Sequence, residues 1–472
     1  MAMTEKNLGT HPVPWPAVPI PTRDEVYAGL SDAAKEYPIW LEEKLHQKYN
    51  FDKPENLSRI RVLDLTTGMM IGHWASSQLA EMGADVIQVE PVGGDPARKL
   101  TPFGREEYMF TDSERGEKVG GLFLHEMRNK RSITLNLETE RGREILRNLA
   151  RHVDVIIENA PPGDFDAKGI GYRQLSQINP RLVYAWVGQR GQWGPLKDKP
   201  GMLEPVGQAA CGFVHGTGQP KEFGGRPVRS AMWMADYVGG TVAAIGVLTA
   251  LFYRDKVSGR GQFIEATAAE SIIRILDYTW VWYGMDGSIR PRYGNWDLAI
   301  NIYSVNPAKD GYMMIGGGHD RLWYRIWGTV GKERPEVEQL VVEDPKLKEV
   351  TDRLDHAANV KASTLLSEWL KDKTRAEAEV ELLKEQVASG GVTTIDEVAE
   401  YPHFKYRGFL DLFKDRLYGE ILYGTTPCLE SYAPSRLKWI GRPVGYDNEE
   451  VYLYLLGLNA QDLKQLQAEG VI

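Results

Sequence analysis

Alternating strand and helix patterns constrain the fold more than any other feature of the sequence. The run 61–68, RVLDLTTG, is a short apolar strand ending in a turn, and a helical pattern over 74–82 is stopped by Gly83. A second apolar strand, ADVIQV, follows at 84–89. Two strands joined by a crossover helix form a βαβ unit, whose strands are parallel. The sequence therefore predicts a parallel sheet.

The same alternation continues along the chain. It predicts strands at 132–137, 153–158 and 182–187, and a helix at 139–152. A regular succession of strands and helices indicates the α/β class with an open sheet. Ligands of such sheets bind beyond the carboxyl ends of the strands, so 66–72 and 90–98 form a candidate site. Gly68 and Gly72 do not make the GxGxxG pattern, which argues against a dinucleotide ligand.

Composition excludes several classes of function. The 472 residues are 42% hydrophobic and 26% charged, with a net charge of −9 and no basic run, so nucleic acid is not an expected partner. Cys211 and Cys428 form neither a metal-ligand spacing nor a disulfide framework. No apolar run reaches membrane-spanning length. We expect a cytoplasmic protein with no metal and no membrane partner.

A glycine-rich stretch at 212–229, GFVHGTGQPKEFGGRPVR, carries a single carboxylate, Glu222. Glycines at this density let the backbone turn tightly or approach a ligand closely. A lone carboxylate in such a loop is a candidate nucleophile for an activated acyl group. The alternative is a surface hairpin with a solvated glutamate.

Several blocks of the sequence together resemble the family III CoA-transferases. They are, in order, VLDLT, LAEMGADVIQVEPVGGDPAR, NKRSITLNLETERGREIL, DVIIEN followed by PPG, TGQP and SGRGQFIEA. The resemblance implies a large α/β domain with an open parallel sheet, built from both chain ends, a smaller α+β middle domain, and an interlocked dimer. The predicted segments are an N-terminal extension at 1–58, the large domain at 59–255, a linker at 256–290, the small domain at 291–395 and a C-terminal return at 396–472.

The resemblance also implies transfer of CoA between an acyl-CoA and a free carboxylic acid, with CoA as a substrate and no cofactor. It places CoA-binding residues at Arg98, Lys130, Arg131, Leu135 and Asn159. Other positions depart from the family, where basic or aromatic residues are common, and these are Pro91, Glu138, Ala160 and Ala167. Because cationic partners of the CoA phosphates are missing, we expect the isolated chain to bind CoA weakly.

The nucleophile of the family is an aspartate in a loop similar to TGxxDGxP. The matching segment, 217–224, has Lys221 at the aspartate position and Glu222 one residue later. This mismatch predicts a non-catalytic subunit, paired in a heterodimer or heterotetramer with a homologous chain that carries the aspartate. Two-subunit transferases of the benzylsuccinate type, from aromatic degradation, move CoA between succinyl-CoA and an aryl-substituted succinate.

Two other interpretations stay open. One is a self-sufficient homodimeric transferase that uses Glu222 as its nucleophile. The other is an acyl-CoA racemase, which needs a His–Asp pair, although the corresponding turn at 200–204 has no histidine. The proline-rich segment 11–21 is expected to be extended, with one or two helices over 24–49. The small residues of a helix at 232–251 and the aromatic residues of 278–293 are predicted to contact a partner chain.

Overall fold

The computed structural model describes residues 20–49, 51–199 and 203–472. The chain forms two compact units. The first consists of Met1–Cys211, Ala231–Asp277 and Ala399–Ile472, and the second of Gly212–Ser230 and Tyr278–Val398. The glycine-rich loop, which the sequence analysis placed within 59–255, is thus part of the second unit. Most of the proline-rich segment and the turn residues 200–202 lie outside the described residues.

A six-stranded sheet organises the first unit, and all its neighbouring strands are parallel. In spatial order the strands are Lys130–Thr134, Asp85–Glu90, Arg61–Asp64, Val155–Glu158, Val183–Gly188 and Phe263–Thr267. The predicted open parallel sheet is confirmed. From Arg61–Asp64 the next strands are added on one side of the sheet, and from Val155–Glu158 onward they are added on the other side. The carboxyl ends of these two strands are therefore the topological switch point.

Helices cover the sheet on both faces, which explains why its strands Val155–Glu158 and Val183–Gly188 are buried along their whole length. The longer helices of this unit are Asp32–Leu45, Met70–Glu81, Glu140–Leu149, Met234–Tyr253 and Ala460–Ala468. Shorter helices are Arg23–Val26, Gly121–Glu126, Asp164–Ala167, Tyr172–Ile178, Glu204–Ala210, Ala268–Arg274, Ile395–Glu400 and Pro402–Tyr406, the second-last of which crosses into the first unit. Two antiparallel hairpins complete it, Met109–Thr111 with Lys118–Gly120 and Leu410–Asp415 with Gly419–Gly424.

Both ends of the chain contribute to the first unit, but all six strands of its sheet come from 61–267. The C-terminal part supplies core side chains instead. Val451, Tyr452, Leu463 and Leu466 pack in one buried cluster with Leu63 of the central strand.

The helix Met234–Tyr253 packs closely against Met70–Glu81 through its glycines. A Cβ atom on Gly240 would lie 2.4 Å from the carbonyl oxygen of Ile71, and one on Gly239 would lie 2.8 Å from the Ile71 side chain. Gly239 and Gly240 therefore serve a contact within the unit, and the partner contact predicted for this helix stays a prediction. By length and apolarity alone the helix Met234–Ser258 could span a membrane, and half of its apolar window is buried in the structure.

The second unit has its own sheet and core. Its three antiparallel strands, in spatial order, are Ala388–Gly391, Gly311–Gly316 and Tyr303–Ala308. Its helices are Phe213–Gly216, Thr279–Asp286, Asp320–Gly331, Pro335–Glu343, Pro345–Lys348, His356–Leu370 and Arg375–Lys384. Trp323 and Trp327 are fully buried at the centre of its core.

Candidate active site

The most distinctive polar group of the first unit is the buried carboxylate of Asp236. This residue is in the first turn of the helix Met234–Tyr253 and is 2% exposed. Gln189 Nε2 donates a hydrogen bond of 2.6 Å to its Oδ1 atom. The backbone N–H groups of Met70 and Ile71, which begin the helix Met70–Glu81, lie near the carboxylate and favour its ionised form. Asp236 therefore lies at the positive N-terminal ends of two helices.

Burial raises the pKa of Asp236 to about 6, because the hydrogen bond from Gln189 only partly offsets the loss of solvent. The nearby carboxylate of Glu204 adds to the increase. Glu204 is itself buried, and it accepts hydrogen bonds from the Ala235 backbone N–H at 3.1 Å and from Gln208 Nε2 at 2.6 Å. A poorly solvated carboxylate that still ionises near neutral pH is well suited to nucleophilic attack.

A cavity of about 490 Å³ opens at the switch point of the same sheet. It is lined by Leu65, Thr67, Met69, Val89, Glu90, Pro91, Val92, Leu135, Asn136, Leu137, Glu138, Asn159, Ala160, Pro161, Asp164, Phe165 and Lys168. Met69, at its wall, immediately precedes the helix start that lies near Asp236. The segment 66–72 thus contributes to the cavity wall and leads into the helix start near Asp236, which does not itself line the cavity.

Asn159, directly after the strand Val155–Glu158, is hydrogen-bonded at this cavity to the loop that follows the strand Arg61–Asp64. Its Oδ1 accepts a hydrogen bond of 2.9 Å from the Thr67 backbone N–H, and its Nδ2 donates one of 3.0 Å to the Thr67 carbonyl. Leu135 is buried in the cavity wall. Of the five predicted CoA-binding residues, the structure brings these two together at the cavity.

The other three are engaged in ion pairs and do not line the cavity. Lys130 is fully buried, with its Nζ 3.1 Å from Asp64 Oδ2 and 2.8 Å from the carbonyl of His73. Arg98 forms two hydrogen bonds of 2.6 Å with Glu90. Arg131 contacts Asp85 and Glu450. Their proposed role in binding CoA remains a prediction, and their observed contacts are structural.

Lys130 belongs to a buried network with two acids and His73. The Nε2 atom of His73 lies 3.2 Å from Asp95 Oδ2, and its Nδ1 lies 3.6 Å from Asp64 Oδ2. Burial alone would lower the pKa of His73, but the two carboxylates outweigh it and raise that pKa to about 9. Asp95 also accepts hydrogen bonds from the Gly68 backbone N–H. The network therefore fixes the loop that leads into the cavity.

Glu222, the nucleophile suggested by the sequence, is in the second unit and is 58% exposed. It lies in the turn Lys221–Phe223, where its Oε1 atom is 3.6 Å from His356 Nε2. The aromatic rings of Phe223, Tyr293 and Trp296 surround His356 at centroid distances of 5.4 to 5.7 Å. An exposed carboxylate is well solvated and gains little nucleophilicity from its surroundings. A catalytic role for Glu222 remains a prediction.

The sequence analysis missed Asp236, although the sequence carries a signal for it. The helix MADYVGGTVAAIGVLTALFY has one charged side chain in twenty residues. An acid in an otherwise apolar helix must be buried, and burial of an ionisable group is costly unless it has a function or a partner. The family resemblance placed the nucleophilic aspartate in the glycine-rich loop that precedes this helix.

An open parallel sheet with a cavity at its switch point places this chain among the α/β proteins that bind ligands at that position. The chain belongs to CoA-transferase family III, whose family model matches residues 57–448. Its sequence is 32% identical to succinyl-CoA–D-citramalate CoA-transferase from Chloroflexus aurantiacus, over 89% of this chain and 98% of that protein. It is 33% identical to the beta subunit of succinyl-CoA–L-malate CoA-transferase from the same organism, over 88% and 98%.

The fold agrees with this assignment. A crystal structure of a CAIB/BAIF family protein from Brucella suis matches with a TM-score of 0.73 and 28% identity, over 85% of this chain and 100% of that one. An aryl-substituted acid, which the sequence analysis suggested as an acceptor, has no support in the names of these relatives.

Proposed function

We propose that this chain is a catalytically active CoA-transferase that takes CoA from succinyl-CoA and uses Asp236 as its nucleophile. The observation that carries the proposal is the position of the Asp236 carboxylate, which is buried at two helix N-termini and bonded to Gln189. No equivalent environment surrounds Glu222, which is largely exposed.

The chemistry follows from a carboxylate nucleophile. An oxygen of Asp236 attacks the thioester carbonyl, the C–S bond breaks, and a mixed anhydride and CoA thiolate form. The acceptor carboxylate then attacks the aspartyl carbonyl of this anhydride, succinate leaves, and a mixed anhydride of Asp236 and the acceptor forms. The CoA thiolate attacks the acceptor carbonyl of this second anhydride, which gives the new CoA ester and regenerates the Asp236 carboxylate. Backbone N–H groups at the start of the helix Met70–Glu81 are placed to stabilise negative charge on the aspartyl oxygens.

For the acceptor we propose a small dicarboxylic acid. The support comes from the relatives, whose names give D-citramalate and L-malate as acceptors and succinyl-CoA as donor. An aryl-substituted succinate is the competing acceptor. Initial rates with succinyl-CoA and each acid in turn, with CoA esters separated by chromatography, distinguish the two classes.

For the assembly we propose an interlocked dimer, as the family resemblance implies. One relative is a single enzyme by name and another is a beta subunit, so both a second copy and a homologous chain are candidate partners. A nucleophile carried by this chain favours the self-sufficient form over a non-catalytic subunit. Native mass spectrometry of untagged protein from its natural source will show one subunit mass or two.

The decisive experiment compares two variants. Asp236→Ala is expected to remove transfer by at least 1,000-fold, whereas Glu222→Gln is expected to stay within a few-fold of wild type. Hydroxylamine trapping of the acyl-enzyme, followed by peptide mapping, should label Asp236. A label on Glu222, or full activity of Asp236→Ala, would overturn the proposal. Because the carboxylate must be ionised, kcat/KM should fall on the acid side of pH 6.

A further inference from the structure

The cavity at the switch point has an unusual charge for a site that accepts a phosphorylated carrier. Of the residues that line it, Lys168 is the one basic side chain, and Glu90, Glu138 and Asp164 are acidic. Glu90 is neutralised by Arg98, which lies behind the wall. The charges that face a ligand are therefore those of Lys168 and of the two remaining acids.

Lys168 already forms ion pairs with Glu138 and Asp164. Its Nζ atom is 2.7 Å from Glu138 Oε1 and 3.0 Å from Asp164 Oδ2. The hydrogen bond from Lys168 to Glu138 is the largest cause of the raised pKa of the lysine, followed by the bond to Asp164. Lys168, Glu138 and Asp164 together carry a net charge of −1, so the cluster as a whole does not attract a phosphate.

The two acids differ in how firmly they hold the lysine. Asp164 is four residues before Lys168 in the same helical segment, so its contact is maintained by the local backbone. Glu138 comes from the turn after the edge strand Lys130–Thr134, and its side chain is 76% exposed. Ion pairs with an exposed long side chain are weak, so Glu138 can leave Lys168 at little cost.

We propose that Glu138 is an internal competitor of the CoA phosphates, which occupies Lys168 in the free protein and lowers the affinity for the thioester substrate. This inference rests on the proposed function, because it concerns the carrier that the transferase binds. A phosphate group must displace Glu138 before it can pair with Lys168. Glu138 thereby sets the affinity for CoA esters and makes it sensitive to salt.

The test measures CoA binding by isothermal titration calorimetry at 20 mM and 200 mM salt. Glu138→Gln keeps the size of the side chain and removes its charge, and it is expected to bind CoA about two- to fivefold more tightly than wild type at low salt. The matched control is Glu144→Gln on the neighbouring helix, where Glu144 pairs with Arg141 and does not line the cavity. The control should bind CoA as wild type does.

Two further measurements identify the groups involved. In a Lys168→Met background, Glu138→Gln should give no gain, because the cation that is released no longer exists. Titrations with dephospho-CoA and with pantetheine show which phosphate benefits: a gain kept by dephospho-CoA assigns the pyrophosphate, and a gain lost with it assigns the 3′-phosphate. Pantetheine should show no gain.

An equal affinity of Glu138→Gln and wild type would overturn the inference, as would a gain in Glu144→Gln or in the Lys168→Met background. Absence of CoA binding in every variant would also overturn it. These outcomes are separate from the test of the nucleophile, since activity retained by Asp236→Ala refutes the proposed function whatever the calorimetry shows.

Discussion

Replacing Asp236 by asparagine should stabilise the protein while it removes activity. The carboxylate is 2% exposed, and burial raises its pKa from 3.8 to about 6. A shift of about two units means that the ionised form costs the folded state roughly 3 kcal/mol relative to the unfolded chain. Asparagine has nearly the same shape and keeps an oxygen that can accept the Gln189 hydrogen bond, but it carries no charge.

The stability gain should depend on pH in a defined way. Below pH 3.8 the carboxyl group is protonated in both the folded and the unfolded chain, so ionisation costs nothing. Between pH 4 and 6 the unfolded chain loses this proton while the folded protein retains it, and wild-type stability falls. Above pH 6 the cost is constant. The variant lacks this loss, so its advantage over wild type should grow from pH 4.5 to pH 7.5.

Urea unfolding followed by tryptophan fluorescence at pH 4.5 and pH 7.5 measures this difference. Asp198→Asn is the matched control, because Asp198 is largely exposed and, among the residues that the structure describes, its side chain pairs with Lys197. The control should unfold with the wild-type midpoint at both pH values. A midpoint of Asp236→Asn equal to or below wild type at pH 7.5, or an advantage that does not change with pH, would refute the account of a desolvated nucleophile.

Two further predictions concern packing and the buried network. His73→Gln leaves the carboxylates of Asp64 and Asp95 with too few cations and should cost about 3–5 kcal/mol in urea unfolding at pH 7. Since the raised pKa of His73 is about 9, wild-type stability should fall as pH rises through 9, and the variant should not show this fall. Gly240→Ala should lower the melting temperature despite the better helix propensity of alanine, because its Cβ would lie 2.4 Å from a carbonyl oxygen of the facing helix. Gly284→Ala, in a helix with no atom within 4 Å of the new Cβ, should leave the melting temperature unchanged or raise it, and a similar loss in both variants would contradict the packing argument.

The sheet could be predicted from the sequence because its information is local. Apolar strands that alternate with helical patterns identify a parallel sheet without any knowledge of contacts. The ends of the helices could be predicted less well from the sequence. A helix was predicted from 74, yet it begins at Met70. The N–H groups of its first turn lie near the carboxylate of Asp236, a residue more than 160 positions later in the chain. A local sequence pattern cannot predict that a helix start is stabilised by a residue so far away in the chain.

The candidate site was predicted only in part for the same reason. The strand ends follow from topology, Asn159 was implied by the family resemblance, and the cavity lies where an open α/β sheet places it. Lys130 and Arg131 resembled phosphate ligands in sequence, but in the structure Lys130 pairs with the buried Asp64 and Arg131 pairs with the partly exposed Asp85. A motif shows which residue types are present, whereas their partners depend on burial.

The path of the chain between its two units has a consequence for biosynthesis. The core around Leu63 is completed by Val451, Leu463, Leu466 and Val471, which are made some 400 residues later. At typical translation rates this interval lasts roughly 20 to 80 s. During that time the early helix Glu140–Leu149 covers only part of this apolar face, so the nascent chain should depend on chaperones until synthesis has passed residue 471. Brief translational pausing near 440 should therefore increase aggregation more than the same pause near 30.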